Sequence, residues 1–319
     1  MVNSFLDQYE VISSTNDFTG LFSSKPNKKC KFCGLTSTQT TFTSVPHILP
    51  ELFGKNNYTS NDECDKCNAH FGKYETDLSN FISPYLSLLS QKTKSKIPIF
   101  QSRKEKDSEA TTIRNINGHP NIYFGNNLED FQYDYDNHLL HLKFRKKKFT
   151  PLNVYKGLVH IALSLCPQEE LNLFKDTLDW LLDKETPNSR PLDVPMIVLR
   201  TKFKNKKHNI PSASLFRRKV DLNKEDYLPR LSLVVNSGIL VFQIFIIGCS
   251  ETAKFEKGGY KLTLDIFPAF IFDLDLPENF KSVTINLDSL PIQQYDMNHN
   301  EKVTEDEIIS LTYSDLLRR

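Results

Sequence analysis

Apolar and polar positions set the elements of this chain before any motif does. Over residues 138–144 the side chains alternate, with His138, Leu140, Leu142 and Phe144 on one face and Leu139, His141 and Lys143 on the other. A period of two is that of a strand, and with the apolar run at 121–124 it predicts a β-hairpin. Residues 154–165 change period: Val154, Leu158, Ile161, Ala162 and Leu165 recur at helical spacing. Pro167, Glu169 and Glu170 then open a second helix in which Leu171, Phe174, Leu178 and Leu181 share a face, with Trp180 to one side. Strand-like runs follow at 194–199, 231–235, 239–247, 260–272 and 282–287. The longest apolar stretch, residues 238–248 (GILVFQIFIIG), is about half of the roughly 20 residues a membrane-spanning helix needs, and it reads as a buried strand. Residues 96–319 are therefore expected to form a mixed α+β domain.

The N-terminal part is organised differently. Residues 1–29 are polar and rich in Ser and Asn, a weakly structured lead-in whose Phe5, Leu6, Tyr9, Val11 and Ile12 could dock elsewhere. From Cys30 to about Tyr85 the chain is turn-rich and carries Cys and His, ending in a helix that begins near Asp65 and runs to Leu78 or beyond. Residues 91–120 are charged, rich in Thr and Ser, and without clear period, as in a linker or an exposed hairpin. These features predict two domains, 1–95 and 96–319, and no internal repeat.

Composition narrows the partners. The 319 residues hold 40 Lys+Arg against 39 Asp+Glu, a formal net charge of +1, so any contact with a polyanion must come from local patches. Basic residues gather at Lys25, Lys28, Lys29 and Lys31, at Lys92, Lys94 and Lys96, at Arg103, Lys104 and Lys106, and over residues 145–148, 200–207 and 217–219. The opening MVNSFLDQYE has neither a basic start nor an apolar run, which predicts a cytoplasmic protein without a secretory leader or membrane segment. No phosphate-binding G-x-x-x-x-G-K-[ST] and no G-x-S-x-G occurs in residues 96–319. Six cysteines are present; Cys166 and Cys249 lie in or beside apolar segments and are assigned to the core.

The other four form two C-x2-C knuckles, Cys30/Cys33 (CKFC) and Cys64/Cys67 (CDKC), separated by thirty residues. Two such knuckles close a tetrahedral zinc site, and alone they imply only a metal staple on a small unit. The segments VPHILPELFG at 45–54 and CDKCNAHFG at 64–72 add chemistry. With the knuckles, over about residues 30–75, they resemble the HNH endonuclease family in its four-cysteine form. The resemblance implies an N-terminal, zinc-stapled ββα-metal module followed by the larger α+β domain. It implies His47 as general base toward water attacking phosphorus. It also implies Asn68 as a ligand of a hard catalytic ion, Mg2+ or Mn2+, with His70 a second ligand or a phosphate contact.

Two positions depart from the family pattern. The residue before the base, normally a metal-binding Asp, Glu or His, is Pro46. Glu51 is the favoured substitute ligand, with Asp62 or Glu63 as alternatives. The family's middle asparagine falls near Thr59, with Asn56, Asn57 and Asn61 out of step. Lys28, Lys29, Lys31, Lys55, Lys66 and Lys73 flank the unit and could grip phosphates. The expected function is metal-dependent cleavage of nucleic acid, DNA favoured. The C-terminal domain would position DNA, sense a trigger, or pair with a partner protein or a second copy, as in the restriction and anti-phage fusions where such modules occur. The alternatives are a non-catalytic zinc module that binds nucleic acid or protein, and an adaptor whose C-terminal domain does the work. His138, His141 and His160 are given no function.

Overall fold

A computed structural model describes residues 4–18, 27–94, 96–102, 109–125, 131–184, 196–203, 210–219, 226–238, 240–246, 261–262, 264–268, 280–286 and 306–312. The chain opens with α1 (Ser4–Gln8) and β1 (Tyr9–Ser14) and passes through an irregular segment to the long helix α2 (Asp65–Leu88). Short strands follow: β2 (Phe100–Gln101), β3 (Thr112–Ile116), β4 (His119–Tyr123), β5 (Phe131–Asp134) and β6 (Leu139–Arg145). Next come α3 (Pro151–Leu165), α4 (Gln168–Leu171) and α5 (Lys175–Leu181), then β7 (Ile197–Phe203), β8 (Ser212–Arg218), β9 (Asp226–Tyr227), β10 (Leu231–Asn236) and β11 (Leu240–Ile246). The last are β12 (Lys261–Leu262), β13 (Phe280–Asn286) and β14 (Asp306–Thr312). Helix and sheet are mixed, as expected.

The largest sheet has six strands in the order β1-β8-β10-β11-β7-β13, every neighbouring pair antiparallel. Every residue of β10 and β11 is buried, so these strands read as continuous apolar runs because both faces are covered. Phe5, Phe216 and Phe267 cluster edge-on over one face, where Gln243 also binds the backbone of Asp265 and Phe267. Helix α3 lies against β8, β10 and β11 and against α2.

That double contact corrects the amphipathic reading of 154–165. Thirteen residues of α3 are buried, including Lys156 and His160, because the helix is sandwiched and has almost no solvent face. Gly157 sits at the crossing with α2; a Cβ there would come within 3.4 Å of Leu78 Cδ2 and the Tyr74 carbonyl oxygen. The buried stripe of α2, with Cys67, Phe71, Tyr74, Leu78, Phe81 and Tyr85, has the spacing of one helical face.

Three other expectations shift. The lead-in is structured where described: β1 is the edge strand of the six-stranded sheet, with Val11 opposite Phe216 and Ser14 opposite Ser214. The second helix is broken into α4, a 3-10 turn at Asn172–Phe174, and α5, and Trp180 is buried in it. Residues 135–138 turn between β5 and β6, so His138 belongs to the turn, while Leu140, Leu142 and Phe144 do point inward. Residues 112–123 form a hairpin, β3 with β4. Of the run expected at 260–272, residues 260, 263 and 269–272 lie outside the described residues, as does Cys249. One apolar cluster runs from Phe5 through Cys67 and Leu158 to Ile285, so packing continues across the boundary expected near residue 95. No described helix is long and apolar enough to cross a membrane.

Candidate active site

The knuckles assemble by local turns. The Gly34 amide donates to the Cys30 carbonyl (2.9 Å) and the Cys30 amide to Leu35 (2.7 Å). Gly34 has φ of 74°, a left-handed conformation that suits glycine. The Lys31 amide donates to the Asp62 carbonyl at 2.7 Å, which brings the first knuckle to the start of α2. There Cys64 is the N-cap and Cys67 lies in the first turn.

The four sulfurs all lie within 4.8 Å of one another, with Cys30 Sγ 3.7 Å from Cys67 Sγ and Cys33 Sγ 3.7 Å from Cys64 Sγ. A tetrahedron with Zn–S bonds of about 2.3 Å has an edge of about 3.8 Å, so the sulfur set fits zinc. Gathered this closely, the thiols share protons. The hydrogen bond between Cys30 and Cys67 draws Cys30 down to about 5 and pushes Cys67 up. Burial pushes Cys33 up to about 11.

Asp65 ties this centre to the segment that carries His47. Its carboxylate accepts from the amide and hydroxyl of Thr43 (3.0 and 2.7 Å) and from the amide and hydroxyl of Ser44 (2.8 and 2.5 Å). Burial opposes its charge, yet the hydroxyls of Ser44 and Thr41 and the backbone of Ser44 outweigh burial and hold it well below the usual carboxylate range. Just beyond, the chain forms a short antiparallel pair: His47 bridges Thr59, the Ile48 amide donates to Tyr58 (2.9 Å), and the Ser60 amide donates to Pro46 (2.8 Å). Pro46 is buried in this pairing. The loop between the two arms is clamped by Asn56, whose Nδ2 donates to the carbonyls of Leu49 (3.1 Å) and Gly54 (2.9 Å).

Between this loop and α2 lies a cleft of about 500 Å³ lined by Val45, His47, Pro50, Glu51, Leu52, Asn68, Gly72, Glu75, Thr76, Ser79 and Asn80. His47, Glu51 and Asn68, separate in sequence, thus share one space. His47 Nε2 stands 3.8 Å from Glu51 Oε2, and Lys94 Nζ is also 3.8 Å from that oxygen. The Nδ1 atom of His47 is buried and makes no hydrogen bond among the described residues. A Cβ on Gly72 would meet nothing within 4 Å, so the helix wall of the cleft is open at this position. The oxygen donors of Glu51 and Asn68, an acidic and an amide group, suit a hard cation such as Mg2+ or Mn2+.

Other expected residues are held elsewhere. His70 is not among the lining residues: its Nε2 lies 3.0 Å from the Tyr74 hydroxyl and 3.1 Å from the Leu181 carbonyl, and burial, with the Lys73 charge, lowers its proton affinity. Lys73 reaches the same region and pairs with Asp183 at 2.7 Å. Lys31 Nζ donates to the Ser164 carbonyl at 2.6 Å, and Lys28 Nζ lies 5.8 Å above the Phe42 ring. Lys29, Lys55 and Lys66 are exposed. Asp62 accepts from the Ser60 hydroxyl (2.6 Å), and Glu63 is buried against His160, Oε2 to Nε2, at 3.2 Å. His160, given no function from sequence, packs against Phe71 in a tilted arrangement with ring centroids 4.0 Å apart. Glu75, given no role from sequence, also lines the cleft. Its signal was the helical period, since residue 75 follows Asn68 by two turns on the same face.

Residues 30–79 match the HNH endonuclease family. The match takes in both knuckles, His47, Glu51, Asn68 and Glu75, under a quarter of the chain. No curated protein and no solved structure matches. A nuclease-family match around a four-cysteine metal site defines the N-terminal unit and suggests nuclease activity with a nucleic-acid substrate.

Proposed function

We propose that residues 30–79 are a zinc-stapled ββα-metal module that hydrolyses phosphodiester bonds, with DNA the first substrate to test. The observation that carries this reading is the shared cleft: His47 on the hairpin and Asn68 on the helix face one space beside the cysteine centre. His47, as a neutral imidazole, removes a proton from the water that attacks phosphorus. Asn68 and Glu51 hold a divalent cation, which when bound neutralises charge on the scissile phosphate and the leaving oxygen. The exposed Lys29, Lys55 and Lys66 contribute sequence-independent phosphate contacts. The sheet beyond residue 196 positions the nucleic acid or a partner, or pairs with a second copy.

The test is plasmid nicking by zinc-loaded protein with added Mg2+ or Mn2+. Wild type should nick and His47→Ala should lose at least about a hundred-fold in rate, the contribution typical of a positioned general base; equal cutting by the variant removes the assignment. A second reading, a non-catalytic zinc module that binds nucleic acid or protein, is favoured by two observations: Pro46 is buried and offers no ligand, and Thr59 rather than an asparagine sits across from His47. It predicts binding without turnover.

A further inference from the structure

We propose that Glu75 is a second acidic ligand of the catalytic cation, beside Glu51, supplying the charge that Pro46 cannot; the inference rests on the nuclease reading of the same cleft. The position before the base, normally Asp, Glu or His in the family the segment resembles, is here a buried proline. Most acidic groups around the site are already bound: Asp65 holds Thr43 and Ser44. Glu63 is spent on His160, and Asp62 is bound to Ser60 and does not line the cleft. Glu51 lines it but is shared between His47 and Lys94, each 3.8 Å from the same oxygen. Glu75 lines the cleft and makes no hydrogen bond or ion pair among the described residues.

The helix supplies the aim. A side chain on a helix covers the turn on the N-terminal side of its own Cα, and the residue one turn before Glu75 on this face is Gly72, which has no side chain and open space above it. Glu75 and His47 line the same cleft, and Gly72 leaves the stretch of helix between Asn68 and Glu75 bare. Charge agrees with this placement. Burial pushes Glu75 above its usual range, with His160 opposing, Glu63 adding and His47 opposing. Asn68 alone is a neutral ligand, so a second negative ligand beside Glu51 raises the affinity of the site for a dication.

The experiment measures Mn2+ binding to full-length, zinc-loaded protein by calorimetry, with the paramagnetic resonance of bound Mn2+ as a second readout, for wild type, Glu75→Gln, Glu75→Asp and His47→Ala. Glu75→Gln should weaken Mn2+ about ten-fold or more, the scale of losing one group that supports a metal site. Zinc content should stay unchanged, and Glu75→Asp should recover part of the affinity. His47→Ala should bind Mn2+ like wild type while failing to nick. If Glu75→Gln binds Mn2+ as tightly as wild type, or if wild type binds none, the inference is overturned. A protein that binds Mn2+ through Glu75 but never nicks would instead overturn the nuclease reading, and with it the catalytic role of the cation, while Glu75 remained its ligand.

Discussion

Replacing His160 with alanine tests how the two halves of the molecule are joined. His160 Nε2 is 3.2 Å from Glu63 Oε2, with side chains 2% and 1% exposed. Its ring packs against Phe71 at 4.0 Å and lies 5.1 Å from Phe32. Glu63 Oε1 already makes no hydrogen bond among the described residues, so His160→Ala leaves a whole carboxyl buried without a partner. Breaking one side of a buried pair costs about 3–5 kcal/mol, and loss of the ring contact adds up to about 1 kcal/mol. We expect a loss of about 4 kcal/mol, a large share of the roughly 5–15 kcal/mol that holds a domain folded. Glu63→Gln keeps an acceptor for the imidazole N–H and should cost only about 1 kcal/mol. The assay is urea unfolding followed by fluorescence of Trp180, the single tryptophan, which is 8% exposed and lies beneath Lys156 of α3 with Nζ 4.6 Å from its ring. A loss below about 1 kcal/mol for His160→Ala, or a larger loss for Glu63→Gln, would refute the account of the pair as a buried, mutually dependent contact.

Two further outcomes follow from the structure. Purified protein should carry one zinc per chain by elemental analysis, and Cys64→Ser or prolonged chelation should release it and collapse the 30–88 unit in hydrogen exchange, because folding of such units draws on metal binding. Acid should weaken the molecule through Glu170, whose carboxylate binds Arg230 (2.8 Å) and Arg217 (2.8 Å); burial opposes its charge, and the two guanidinium groups more than offset that and lower its pKa. That contribution is present above the unfolded glutamate value of about 4.3 and fades as pH falls through the lower folded value. Glu170→Gln should therefore be less stable at neutral pH and lose less on acidification, as thermal unfolding between pH 7 and pH 3 would read out.

What could be read in advance was local. Each C-x2-C knuckle holds both of its sulfurs within one turn, so spacing alone announced the metal site, and the short motifs that frame His47 and Asn68 drew attention to two residues that line one cleft. His70 could have been set aside from helix geometry: two residues after Asn68 it is rotated by about 200°, onto the face that meets Leu181. Glu75 drew no notice because an isolated helical glutamate reads as a solvated one until the cleft it lines is known. The Glu63 and His160 contact joins residues 97 apart, and β1 finds its partner in residues 212–218; neither separation leaves a periodic trace. Lys31 and Lys73 looked like phosphate contacts because charge in a sequence does not say that a carbonyl or a carboxylate already waits beside it.

The pairing of β1 with β8 bears on how the protein must be made and handled. A ribosome releases Tyr9 long before Arg218, its partner in the sheet, so at roughly 5–20 residues per second the first strand stays unmatched for tens of seconds while the cysteine unit behind it can already take up metal. The closing of that long loop is a slow, late event, and a truncation starting near residue 27 would keep every residue of the cleft yet strip the sheet of its border, exposing β8 to the pairing with other chains that bare edges invite.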